Sequence, residues 1–210
     1  MVPFFIYTFT SIFVIVNPIS GLLTFISLTR GMTESDRIQT ARRSVTIACI
    51  LAIVFAIAGE VILHLFNITV DSLRVAGGIL LFLVAIDMLH ARVSRESVTP
   101  EEIMDASKRE DISVFPIAIP LLTGPGAITT VIVVIRTGTT IELKVLTVLT
   151  ILLIFIISYV IFRYANQINR MLGVTVSLVI NRIMGLLLGA IAVNFVATGA
   201  WNIYKLLSGG

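Results

Sequence analysis

Long runs of Val, Ile, Leu, Phe and Ala alternate along this chain with short connectors that hold nearly all of its charge, and no ten-residue alternating pattern of an outer-membrane barrel is present. Runs of this kind reach the roughly 20 residues that a helix needs to cross about 30 Å of hydrocarbon. Six spans are predicted, at about 3–29, 44–66, 70–90, 114–135, 145–163 and 181–204. The expected fold class is an all-α membrane protein with six transmembrane helices.

The spans divide into residues 1–90 and 114–210, separated by a charged linker at 91–113 in which Thr99-Pro100-Glu101-Glu102 is a start signal for a short surface helix. With three spans per half, the second half enters the membrane from the opposite side, so an internal repeat has to be inverted. Such a repeat is visible. "LRVAGGILL" at 73–81 matches "NRIMGLLLG" at 181–189, setting Arg74 against Arg182 and Gly77 against Gly185. A stronger correspondence joins "VNPISG" at 16–21 to "LTGPGAITT" at 122–130, so that helices 1 and 4 are both expected to be discontinuous.

Composition agrees with the pattern: 57% of the residues are hydrophobic, 13% are charged, and the mean hydropathy of +1.05 exceeds that of soluble domains. No Lys or Arg precedes the first apolar run, which therefore reads as a span of the mature protein and not as a secretory signal. Eleven of the 15 Lys and Arg follow spans one, three and five, and the positive-inside rule then puts both termini outside a cytoplasmic membrane that the chain crosses several times. The single cysteine, Cys49, allows neither an internal disulfide nor a thiolate cluster. The basic residues sit in loops and at span ends, so no nucleic-acid partner is expected.

The candidate chemistry lies in the two interruptions. Proline removes a backbone donor and clashes with the preceding turn, and glycine loosens the backbone, so Asn17-Pro18 and Gly124-Pro125-Gly126 break helices where lipid offers no replacement hydrogen bonds. A broken helix exposes N–H groups that suit a carboxylate and carbonyls that suit an ammonium group or a cation. Matched breaks in inverted halves point to a midplane substrate site of a secondary transporter. The candidate binding residues are Asn17, Pro18, Ser20, Gly21, Thr24, Thr123, Gly124, Pro125, Gly126, Ala127 and Thr129, with Thr130 beside them. Asn17 can contact a ligand or cap the second half-helix. Small residues at these positions suit a small ligand or a close backbone approach.

Glu60, with His64 one turn further along the same face, is the candidate for proton coupling; sodium would need only the carbonyls and hydroxyls of the breaks. Arg74 and Asp87 read as interfacial anchors, and Asn194 and Asn202 as interhelical hydrogen-bond partners. No HExxH, nucleophile elbow or phosphate-binding glycine loop occurs, so neither an enzyme, a metal centre nor a bound cofactor is expected.

The segments "NPISGLLTFISLT" at 17–29, "IPLLTGPGAITTVIV" at 119–133 and "LRVAGGILLFLVAIDML" at 73–89 resemble signatures of the MarC family of six-helix membrane proteins. The resemblance covers essentially the whole chain, with Ser20 standing where the family usually has glycine. One branch of that family, of the SnatA type, transports small neutral amino acids. The resemblance therefore implies a secondary active transporter of glycine and alanine. The other classes open to this sequence are a passive small-solute channel or exporter and a non-transporting scaffold that docks partners on residues 91–111. Membrane lipid is an expected partner, and homo-oligomerisation stays open.

Overall fold

A computed structural model of the chain describes residues 1–90 and 112–208, and the linker with its expected surface helix falls outside these. The described residues are helical, without a strand. The helices are α1 (Val2–Val16), α2 (Pro18–Leu28), α3 (Glu34–Leu65), α4 (Val70–Leu89), α5 (Ser113–Leu122), α6 (Pro125–Thr137), α7 (Ile141–Arg163) and α8 (Ala165–Leu207). Val2–Leu28, α3, α4, α7 and Thr175–Leu207 are each long and apolar enough to span a membrane, and α5 with α6 makes a sixth span if that pair is counted as one.

Two helices begin well before their predicted spans. The first turns of α3 carry Glu34 and Asp36, which suit the positive end of a helix dipole, and Thr33 caps them by accepting from the Asp36 N–H at 3.2 Å. The last helix starts at Ala165 and leaves helical geometry at Gly173, whose φ of +66° is readily adopted only by glycine. Hydropathy locates the lipid-facing length of a helix, whereas capping and backbone geometry locate its ends.

The segment Ser113–Leu122 winds in wide turns. Its backbone is extended at Phe115 and Ile119, both with φ of −128°, and each of these precedes a proline through a cis peptide bond. The residue before proline is pushed out of the helical region by the ring, which accounts for both extended positions. From this segment the chain bends by 56° into α6.

Small residues set the closest packing. Helices α4 and α8 run antiparallel along a seam where a methyl on Gly78 would lie 2.9 Å from the Ala192 carbonyl, and one on Gly185 would lie 2.8 Å from Met88 Cβ. Close backbone approach through glycine is the means by which membrane helices associate without a hydrophobic driving force. At one end of the seam Asp71 Oδ1 accepts from Arg74 Nη1 and from Asn202 Nδ2, both at 3.0 Å. Asn202 thus bonds between helices, whereas Asn194 accepts from Thr198 of its own helix at 3.0 Å instead of reaching a neighbour. Asn194 and Thr198 are one turn apart and both exposed, which favours the local bond.

Several of the remaining contacts come in reciprocal pairs: α3 packs on α5 and α6 while α7 packs on α1 and α2, and α4 packs on α6 while α8 packs on α2. The main core lies between these groups, with Phe25 of α2 stacked on Phe162 of α7 at 4.5 Å between ring centres. Overpacking the α4–α8 seam tests its role: Gly185→Val is expected to destabilise the protein by about 1–3 kcal/mol, read as a lower unfolding temperature in detergent.

Candidate functional site

The first interruption is built around Asn17. It adopts a left-handed conformation, φ 41° and ψ 61°, which asparagine tolerates better than other residues with a side chain, and Pro18 follows with the φ that a first helical residue requires. The Asn17 carboxamide oxygen accepts from the Ser20 N–H at 3.3 Å, so this side chain caps α2. Its amide nitrogen donates to Ser20 Oγ at 2.8 Å and approaches Met88 Sδ of α4 at 3.7 Å. Ser20 Oγ in turn donates to Asn181 Oδ1 of α8. Asn17 and Pro18 are buried, while Ser20 and Thr24 are half-buried.

The second interruption is built differently. Gly124 is extended at φ −78° and ψ 176°, Pro125 opens α6, and Gly124 contributes no side chain to cap the N–H groups of Gly126 and Ala127. Pro125 is exposed and Gly124 and Gly126 are half-buried, so this helix start is more accessible than the one at Asn17. Thr123 Oγ1 donates to the Ala48 carbonyl of α3 at 3.1 Å, Thr130 Oγ1 to the Gly126 carbonyl at 2.8 Å, and the buried Thr129 lies against Gly77 of α4.

Both interruptions meet one strip of α4. A methyl on Gly126 would lie 2.5 Å from Leu81 Cδ2, and Met88, two turns along the same helix, touches Asn17. The breaks also approach each other directly, because a methyl on Gly21 would lie 4.0 Å from Leu121 Cδ2. Gly126 and Asn17 thus lie against α4 two turns apart, while Gly21 and Leu121 are neighbours.

Glu60 and His64 are not part of this assembly. Glu60 Oε1 lies 2.7 Å from Arg136 Nη1 and 4.0 Å from Nε2 of the exposed His64, in a cavity of about 430 Å³ between α3, α6 and α7. Arg136, Asn181 and Met88 were not singled out from the sequence. Each acts through a partner at least 70 residues away, and pairing at that range leaves no local signal. Among the described residues no group of acidic, His and Cys side chains is arranged to hold a metal ion.

A polytopic helical membrane protein with five or six candidate spans is the class that this geometry defines. The chain belongs to the MarC family of integral membrane proteins, which matches residues 2–204. It is 38% identical over 206 residues to a UPF0056 membrane protein of Methanocaldococcus jannaschii, covering 98% of this chain and 90% of that one. It is 32% identical to YvbG of Bacillus subtilis, over 99% of each chain, and 34% identical to YhcE of Escherichia coli, over 96% of this chain and 94% of that one. Both of these are also named UPF0056 membrane proteins. No solved structure matches the chain.

The link between Ser20 and Asn181 should be measurable. Ser20→Ala and Asn181→Ala are each expected to cost about 1 kcal/mol, and a double-mutant cycle on unfolding in detergent should return a coupling of about 0.5 kcal/mol or more. Additive losses would show that the two residues act independently.

Proposed function

We propose that this protein is a secondary active transporter of small neutral amino acids, glycine and alanine, working by alternating access across the cytoplasmic membrane with both termini outside. It is built as two inverted three-helix repeats with discontinuous first and fourth spans, α1–α2 and α5–α6. The packing of α3 on α5 and α6, matched by α7 on α1 and α2, and of α4 on α6, matched by α8 on α2, supports this architecture.

The observation that carries the reading is the uncapped start of α6, which lies against the same strip of α4 as the Asn17 break, two turns away. N–H groups of Gly126 and Ala127 offer partial positive charge to a carboxylate. Carbonyls at the end of α1, with Asn17 and Ser20, offer acceptors to an ammonium group. A zwitterion satisfies both, and the crowding at Gly21, Gly77 and Gly126 favours one with a side chain no larger than a methyl group. Movement of one bundle against the other about this site would open it to each side in turn.

In this reading the coupling ion is a proton carried by Glu60, which would exchange Arg136 for H⁺ during the cycle; sodium bound by carbonyls and hydroxyls of the breaks is the other choice. Purified protein in proteoliposomes should take up glycine and alanine saturably under an imposed gradient. Absence of flux for every small amino acid would remove the proposal, and flux that neither saturates nor couples would assign a passive pore. Gly126→Val, whose side chain meets Leu81, should abolish flux while leaving extractable folded protein. Glu60→Gln should lose proton dependence, and unaltered dependence would exclude Glu60 as the carrier.

A further inference from the structure

Helices α3 and α7 pack side by side, and a lateral groove of about 520 Å³ runs along one end of their seam, lined by side chains that include Arg42, Thr46, Ile50, Ile53, Ile156 and Tyr159. Its chemistry is graded along its length. Arg42, Thr46 and Tyr159 stand at the mouth, and the walls beyond them are apolar, with Ile50, Ile53, Leu152, Phe155 and Ile156 beside Cys49. From Arg42 to Ile53 the helix rises about 16 Å, a substantial part of one leaflet.

The mouth is cationic. Among the described residues no acidic side chain lines the groove, and Arg42 is exposed. Arg163 Nη1 donates to the Tyr159 hydroxyl at 3.1 Å, which brings a second cation to the mouth and leaves the hydroxyl proton of Tyr159 available to an acceptor. The cavity at the opposite end of the seam contrasts with it, since Arg136 there is already bound to Glu60 at 2.7 Å.

We propose that this groove is a binding site for an anionic glycerophospholipid, with the phosphate held by Arg42 and Tyr159 and one acyl chain lying along Ile50, Ile53 and Ile156. A guanidinium beside a phenol hydroxyl matches a phosphodiester, and an apolar wall beyond them matches a chain. A soluble anion would use the mouth but leave the wall without purpose, and a zwitterionic lipid would bring an ammonium group against Arg42. The site is separate from the transport reading and does not depend on it.

The test uses the purified full chain in mild detergent, with dioleoyl phosphatidylglycerol and dioleoyl phosphatidylcholine added in equal amounts and bound lipid counted by native mass spectrometry. The wild type should retain phosphatidylglycerol in preference to phosphatidylcholine. Arg42→Gln should weaken that preference about five-fold, the effect of one basic residue at a lipid surface. Arg42→Lys should keep most of it, and Lys205→Gln, at the far end of α8, should leave it unchanged. Equal retention of the two lipids by the wild type would overturn the proposal, as would equal losses in the Arg42→Gln and Lys205→Gln variants. Full competition by glycerol phosphate would show that the acyl chain contributes nothing and would overturn it as well.

Discussion

Every structural choice in this protein follows from one constraint: a backbone polar group freed inside hydrocarbon has no water to turn to and must be answered by protein. Breaking a spanning helix is therefore expensive unless neighbouring side chains complete what the ladder loses. At Asn17 the answer is local and thorough, with a capping carboxamide, a serine hydroxyl and a reach across to Asn181. At Gly124 it is incomplete, since Thr123 bonds to α3 while the first N–H groups of α6 receive no cap from Gly124. The two ends therefore differ: Asn17 is buried and caps its helix, while Gly124 is half-buried and supplies no cap.

Packing around the breaks obeys the same constraint. Irregular backbone has to be enclosed, and enclosing it requires helices that come close, which is why Gly77 and Gly126 sit where Thr129 and Leu81 occupy the space a side chain would need. The seam between α4 and α8 uses Gly78, Gly185 and Gly199 in the same way and holds these helices together with few polar contacts. In the main core the aromatic rings of Phe25 and Phe162 stack between α2 and α7.

Much of this was legible in the sequence, because the signals are strong and local. Apolar runs mark the spans, and Asn-Pro and Gly-Pro-Gly mark the breaks whatever surrounds them. Helix ends outside the lipid were less legible, as with α3, whose charged first turns carry no hydropathy signal yet are capped by Thr33. Pro116 and Pro120 lie in plain view, but the wide turns of Ser113–Leu122, extended at Phe115 and Ile119, leave no hydropathy signal. The partners of the site were the least legible. Asn181 reads as an ordinary polar residue near a span end until folding brings Ser20 to it, and Glu60 reads as half of a pair with His64 until α6 delivers Arg136.

The central claim is that the interruptions at residues 17–21 and 123–127 form one binding site for a small zwitterion. An experimental structure of the protein determined with alanine tests it most directly. The account predicts ligand density between Asn17 and Gly126, with the carboxylate against the first N–H groups of α6. Density elsewhere in the molecule, or none at saturating alanine, would contradict it.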